Sequence, residues 1–255
     1  MSETTRAGGE SDRARWLKGP QAQCCSIPEA QASPWRLVLL GAPGVGKGTQ
    51  AELLHQRLGA CHLSTGDVFR AAKNLAECER SPAMNHALGY MKRGELVPDE
   101  IVLDLVRERV DCLKCGGGFL LDGFPRTVAQ ARALDELLDQ NGLKLSTVIS
   151  YELPVEQIIS RLGGRRTCAN CKAVFHVTGR PPRKEGICDE CGGRLIIRED
   201  DRPEAIRVRM EAYENLTKPL ADYYRQRKLL VTVSAAGTPE EIYRRTMEQL
   251  TARGA

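Results

Sequence analysis

The run Gly41-Ala42-Pro43-Gly44-Val45-Gly46-Lys47-Gly48-Thr49 has residue types and spacing suited to one task, holding a phosphate group. Its glycines let successive backbone N–H groups turn inward onto an anion, Lys47 adds a point charge, and a helix expected from Thr49 onward would aim its positive end at the same spot. The apolar stretch Leu37-Val38-Leu39-Leu40 just before it reads as the buried strand that feeds such a loop. One element of the usual pattern is displaced. The position after Gly-Lys is Gly48 rather than a magnesium-binding Ser or Thr, and the hydroxyl comes one residue later, at Thr49.

A second run, Leu120-Leu121-Asp122-Gly123-Phe124-Pro125-Arg126-Thr127, ends another apolar strand in an acid, a turn and an arginine. Asp122 alone could be no more than a turn-capping carboxylate. Beside a phosphate loop it can place magnesium-bound water near β and γ phosphates, while Arg126 can neutralise a phosphoryl group in transfer. A third pattern is Cys168-x-x-Cys171 followed after 16 residues by Cys188-x-x-Cys191. Each pair offers two thiolates from one tight turn, and four complete a tetrahedral shell with no open position, which predicts a structural Zn2+. His176 is expected to pack or hydrogen-bond rather than to ligate. The remaining cysteines, Cys24, Cys25, Cys61, Cys78, Cys112 and Cys115, read as incidental thiols.

These groups need elements to position them. Apolar runs at 37–40, 119–121, 147–151 and 229–233 alternate with charged segments of helical character at 50–58, 127–140, 204–227 and 239–253. That alternation predicts an α/β fold with a parallel, doubly wound sheet and sites at the C-terminal ends of its strands. Two stretches interrupt it: 64–96 as a helix-rich excursion, and 165–199 as a small module rich in Cys, Pro and Gly. Residues 1–35 lack periodicity and are expected to be a disordered extension; their mixture of acids with arginines argues against a transit peptide. The chain has 255 residues, a formal charge of +4 and 5% aromatics, so no large polyanion is implied as a partner. No apolar run approaches the roughly 20 residues of a membrane helix, and no secretory segment opens the chain, so a cytosolic protein is expected.

Taken in order, the phosphate loop, Ser64-Thr65-Gly66-Asp67-Val68-Phe69-Arg70, Gly94-Glu95-Leu96-Val97-Pro98-Asp99, Asp122 to Thr127, Gly164-Arg165-Arg166, and Arg198-Glu199-Asp200-Asp201 with Arg207 and Arg209 resemble the adenylate kinases of the long-lid, zinc-binding type. The resemblance spans about residues 36–250 and implies phosphoryl transfer from ATP to AMP, giving two ADP, with Mg2+. It implies that Gly44, Val45, Gly46, Lys47, Gly48 and Thr49 hold the donor phosphates, with Arg161, Val174, Phe175 and Pro239 near the donor nucleotide. Lys47, Asp122, Arg126, Arg165, Arg198 and Arg209 would carry the chemistry. A loose, metaphosphate-like transition state needs positioning and cations more than an acid or base, which suits a crowd of arginines.

For the acceptor AMP the resemblance points to Thr65, Arg70, Glu95, Leu96, Val97, Gly123, Phe124, Pro125, Arg126 and Gln130, with Arg198 and Arg209. Gln130 can pair with an adenine edge, and relatives acting on pyrimidine nucleotides typically have Asn where this chain has Thr127, so AMP is favoured over UMP or CMP. The implied organisation is a core at 36–63, 97–164 and 200–255, a monophosphate-binding domain at 64–96 and a zinc lid at 165–199, working as a monomer. The stretch Ala71 to Pro82 looks about four residues longer than usual. Alternatives are another nucleoside monophosphate kinase, a GTP donor, or a zinc-ribbon nucleic-acid ATPase. The last is disfavoured because 165–201 mixes acids with its basic residues and has one aromatic, Phe175.

Overall fold

The computed structural model describes residues 34–72, 80, 82–93, 95–114 and 116–253. The expectations for the N-terminal extension up to residue 33, for Cys24, Cys25, Cys78 and Cys115, and for most of the longer stretch after Ala72 fall outside these residues.

Five strands form one parallel sheet: β1 (Trp35–Gly41), β2 (Cys61–Ser64), β3 (Gly118–Asp122), β4 (Thr147–Glu152) and β8 (Leu230–Ser234), in the spatial order β2-β3-β1-β4-β8. The central strand shows why the apolar run is continuous. Leu37 and Leu39 belong to one core cluster with Ala51, Leu54, Ile242 and Leu250, whereas Val38 and Leu40 belong to another with Leu105, Ala131 and Leu134. Alternate side chains thus leave opposite faces of the sheet, and both faces are covered, as a doubly wound parallel sheet requires. On the first face lie helix α1 (Lys47–Leu58) and helix α10 (Pro239–Thr251); on the other lie α4 (Asp99–Arg107) and α6 (Val128–Gln140). Each fully buried leucine contributes about 1.5–3 kcal/mol, so the strands that carry the site are among the best-anchored parts of the chain.

After β2 come α2 (Thr65–Ala72) and α3 (Pro82–Arg93), and a short α5 (Val110–Leu113) precedes β3. Helix α7 (Val155–Gly164) leads directly into a second, three-stranded antiparallel sheet. In it β5 (Arg165–Cys168) lies between β6 (Val174–His176) and β7 (Leu195–Ile196). A 3-10 turn (Glu199–Asp201) returns the chain to α8 (Pro203–Ala212).

The segment expected as one helix over 204–227 is broken. After α8 it widens into a π-helical turn at Tyr213–Thr217, where Lys218 N donates to Tyr213 O at 2.8 Å, and then restarts as α9 (Pro219–Gln226). Two local causes are visible. Pro219 begins a new helix, since it has no N–H to continue the old one, and Thr217 Oγ1 donates to Arg126 O at 2.9 Å, drawing the turn towards the end of β3.

Candidate active site

The parallel register puts the chemistry-bearing residues on one edge. Leu39 pairs with Asp122 and Ser64 with Asp122, so the C-terminal ends of β1, β2 and β3 meet beside the Gly41–Gly46 loop. The loop turns tightly: Gly44 and Gly46 take φ of 81° and 108°. A Cβ on Gly44 would lie 2.6 Å from Leu162 Cγ, so α7 is packed against the loop backbone and only glycine fits. Helix α1 starts at Lys47, two residues earlier than expected, with Gly46 as its N-cap. No side chain caps that end, which leaves its first N–H groups directed at the loop.

Lys47 Nζ donates to Gly41 O at 2.6 Å and to Ala42 O at 3.0 Å. Burial lowers its pKa to about 8; Asp122 pulls it up, and Arg126, Arg209 and Arg165 push it further down. Those four charges therefore sit within electrostatic reach of one ammonium. Burial also pushes the Asp122 carboxyl up, but His62 and Lys47 outweigh it and hold the acid below its ordinary range. His62 Nε2 is 3.7 Å from Asp122 Oδ2, an electrostatic contact beyond hydrogen-bond length, and both ring nitrogens are buried without a hydrogen-bond partner. A Cβ added at Gly48 would stand 3.5 Å from Asp122 Oδ2, so position 48 looks straight at the acid.

Beside the loop, one cleft is lined by Thr65, Glu95, Val97, Gly123, Arg126, Gln130 and Arg209, seven residues singled out from the sequence for a single acceptor. Thr65 Oγ1 donates to Gly123 O at 3.1 Å, and Arg126 Nε donates to the same carbonyl at 2.7 Å. Phe124 is fully buried and joined to Pro125 by a cis peptide bond; Leu96 is half-buried between Glu95 and Val97. Arg70 lies in α2, with its side chain outside the described set.

The other arginines arrive from different elements. Arg165 opens β5 and binds Asp201 through Nε at 2.7 Å and through Nη2; Arg209 of α8 reaches Asp201 Oδ1 at 3.2 Å and Asp200 Oδ2 at 3.1 Å. The Asp201 side chain is fully buried, so it ties the start of the small sheet to the last turn of the returning helix. Arg198 Nε donates to Thr167 Oγ1 at 2.8 Å. Arg161 spans two loops, donating to Val45 O at 3.0 Å and to Ala235 O at 2.9 Å. Gln50 Nε2 donates to Pro239 O at 2.9 Å, which holds the start of α10 against α1 near the exposed Thr49.

Val174 is half-buried, but the Phe175 ring is packed inside the small sheet's own core with Cys168, Cys188 and Leu195, so that residue can offer a ligand only its backbone. Cys168, Cys171, Cys188 and Cys191 bring their sulfurs within 4.8 Å of one another, with Sγ–Sγ of 3.4 Å for Cys168–Cys191 and 3.6 Å for Cys171–Cys188. Those spacings are far too long for a disulfide and close to the roughly 3.8 Å edge of a tetrahedron with 2.3 Å Zn–S bonds. His176 stands apart, its Nδ1 accepting from Gly179 N at 3.0 Å and Thr178 N at 3.2 Å, the hydrogen-bonding role expected of it.

Sequence reasoning gave no role to His62, which has no motif to announce it, or to Asp99, Asp200 and Asp201. Those acids do stand in the runs singled out, and the signal that could have found them is an acid spaced to meet an arginine or an amide.

Among the described residues no helix is long and apolar enough to cross a membrane. The family model for adenylate kinase matches residues 39–229. The chain is 51% identical over 220 residues to the adenylate kinase of Caldicellulosiruptor bescii, covering 86% of this chain and 99% of that one. It is 48% identical over 216 residues to that of Streptomyces coelicolor (84% and 98%), and 48% identical over 209 residues to that of Carboxydothermus hydrogenoformans (82% and 95%). A tight glycine-rich loop opening a helix, an acid at a neighbouring strand end and arginines sharing the buried Asp201 thus coincide with a match over most of the chain, which belongs to the adenylate kinase family.

Proposed function

We infer that the protein catalyses the reversible transfer of the terminal phosphoryl group from ATP to AMP, giving two ADP, and that Mg2+ accompanies the nucleotide. The observation that carries this is that Lys47, at the end of the glycine-rich loop, feels the charges of Asp122, Arg126, Arg165 and Arg209, two of which, Arg126 and Arg209, also line the Gln130 cleft.

In this reading Gly44 to Thr49 hold the donor's β and γ phosphates. Lys47 leaves its two carbonyl partners to bridge donor and migrating group. Arg126, Arg165, Arg198 and Arg209 neutralise charge on the transferring phosphoryl, whose loose transition state asks for positioning more than for a base. Arg161 and the backbone of 174–175 and Pro239 border the donor nucleotide. Thr65, Arg70, Glu95 to Val97, Gly123 to Arg126 and Gln130 receive AMP. Asp122 is charged, half-buried and adjacent to the loop, an acceptor suited to the O–H groups of magnesium-bound water; with Gly48 at the usual hydroxyl position, the protein's hold on the ion would run through this acid. The ion itself supplies Lewis-acid neutralisation of the phosphates.

The four cysteines fit Zn2+, which would stiffen a lid at 165–199 whose core has few apolar residues. The lid and a monophosphate-binding domain at 64–96 would close over the core at 36–63, 97–164 and 200–255, excluding water that would otherwise hydrolyse ATP. One chain supplies every group named, so a monomer suffices, and we place it in the cytosol.

A coupled assay of ADP formation tests this. ATP or GTP is offered with each nucleoside monophosphate, with and without magnesium chelation. ATP with AMP should give the highest kcat/KM and chelation should abolish turnover; a better pyrimidine acceptor or a metal-independent rate would refute the reading.

A further inference from the structure

Gln130 is held in a closed ring of hydrogen bonds. Its Oε1 accepts from Arg126 N at 2.7 Å, and its Nε2 donates to Asp99 Oδ1 at 2.7 Å. The other Asp99 oxygen, Oδ2, accepts from Thr127 Oγ1 at 2.7 Å, and that hydroxyl accepts in turn from Gln130 N at 3.1 Å. Gln130 is 1% exposed and lines the acceptor cleft. Two of its polar positions are uncommitted: the second Nε2–H and the second Oε1 lone pair.

The ring fixes which way round the amide faces. Turning it over would set Oε1 against the Asp99 carboxylate and Nε2–H against the Arg126 N–H, losing two hydrogen bonds and creating two repulsions. An edge that offers a ring acceptor beside an exocyclic amino donor, as a 6-aminopurine does, meets this fixed amide correctly. A 6-oxopurine offers N–H beside C=O, the opposite polarity, and would face donor with donor and acceptor with acceptor.

We propose that Asp99 is a specificity-determining positioning residue, which locks the polarity of the Gln130 amide and so makes the acceptor site reject 6-oxopurine monophosphates in favour of 6-aminopurine ones. Asp99 touches no substrate; it acts through Gln130. The inference rests on the reading of this cleft as the AMP site. A purely structural role is the competing account, since Asp99 also begins α4 and joins it to α6. The two differ in what they do to a pair of ligands that are alike except at the purine 6-position.

The test compares AMP with inosine monophosphate in the full-length enzyme at saturating ATP. The native enzyme should prefer AMP strongly. Asp99→Asn can present its own N–H to Gln130 Oε1 and so removes one of the two constraints on the amide, that of the Arg126 N–H remaining; the AMP-to-IMP ratio of kcat/KM should fall by about threefold or more. The change should come from a raised KM for AMP and a lowered KM for IMP, with kcat for AMP within about threefold and KM for ATP unchanged. In spectra of the native protein one Gln130 side-chain amide proton should exchange slowly, and Asp99→Asn should release it. If Asp99→Asn does not fold, Asp99→Glu, which displaces the carboxylate by a methylene, is judged by the same ratio, and the native amide exchange is read regardless. Equal losses for AMP and IMP, an unchanged ratio, or a freely exchanging native amide would overturn the proposal. If the native enzyme prefers a pyrimidine monophosphate, it is the acceptor reading itself that has failed.

Discussion

Lys47 holds its charge against its surroundings. Burial has lowered its pKa to about 8, so in the free protein it begins to lose its proton just above neutrality. Between about 8 and its ordinary 10.5 the unfolded chain binds the extra proton and the folded one does not, so this group's contribution to stability rises with pH through that window. Phosphates would reverse the effect by supplying the negative charge the site lacks. Two results follow. Lys47→Met should cut kcat about 100- to 1000-fold, the cost of removing one electrostatic stabiliser, while its melting temperature at pH 7 matches or exceeds that of the native protein. A variant with near-normal turnover would show that the ammonium is not the bridge. Separately, kcat/KM for ATP, which reports the free enzyme, should decline above about pH 8, whereas kcat at saturation should hold to higher pH. Pre-steady-state ATP binding across pH 6.5–9.5 would check this, and parallel decline of both quantities would assign the titration elsewhere. At this scale the sequence was legible for Lys47, Asp122 and Arg126, charged residues that stand in motifs and that the fold brings together. It was silent on the partners: nothing in Cys61-His62-Leu63 foretells a buried imidazole beside Asp122, because that meeting is made by β2 and β3 lying side by side.

Elements turn these residues into a site, and their joints are where the arrangement is most exposed to change. Arg165 begins β5, Arg209 sits on α8, and both hold the buried Asp201 of the turn between them, so one carboxylate fixes how the small sheet leaves the core. Asp201→Asn keeps an acceptor but loses the charge; with Arg165 partly exposed, about 1–3 kcal/mol of stability should go. Turnover should fall more than ATP binding, measured by titration, because the arginines lose their shared anchor; unchanged kcat would mean that the ion pair is ornamental. The small sheet depends on its cysteines in the same way, since Phe175, Leu195 and two of the four sulfurs are nearly all the core it has. Elemental analysis should find about one zinc per chain. Chelation or Cys188→Ser should melt this module first, lowering the melting temperature and kcat while the parallel sheet survives. Protein without metal, or chelation without effect, would leave the cysteine cluster unexplained. The paired C-x-x-C spacing made this cluster readable from the sequence. The break at Tyr213–Thr217 was readable only in part: Pro219 stands in the sequence, but the other cause, a hydrogen bond from Thr217 to Arg126, joins residues distant in sequence.

For the whole molecule, the order of strands decides which parts of the chain can be spared. β1 is the third of five, flanked by β3 and β4, and its first pair is Trp35 with Gly118. The alternation of apolar runs with helical segments was enough to anticipate a parallel doubly wound sheet. It could not give the order of the strands, which is set by how the crossovers pack rather than by any local signal. That order yields a sharp contrast between two truncations. Residues 1–33 precede β1 in the sequence and carry no apolar periodicity, so on their removal kcat/KM for ATP and AMP should stay within a few-fold of the full chain. Cutting five residues further also removes Trp35 to Val38, and with them the pairing of β1 to Gly118, Phe119, Leu120 and Leu121 and one fully buried side chain from each face of the sheet, Leu37 and Val38. No edge strand could slide in to replace the middle of a parallel sheet, and the loop that Gly41 begins would lose the strand that aims it. The longer truncation should therefore give no folded protein by circular dichroism, and the shorter one an active enzyme of native melting temperature. Loss of activity or solubility on removing 1–33 alone would assign that segment a packing or regulatory role on the folded core.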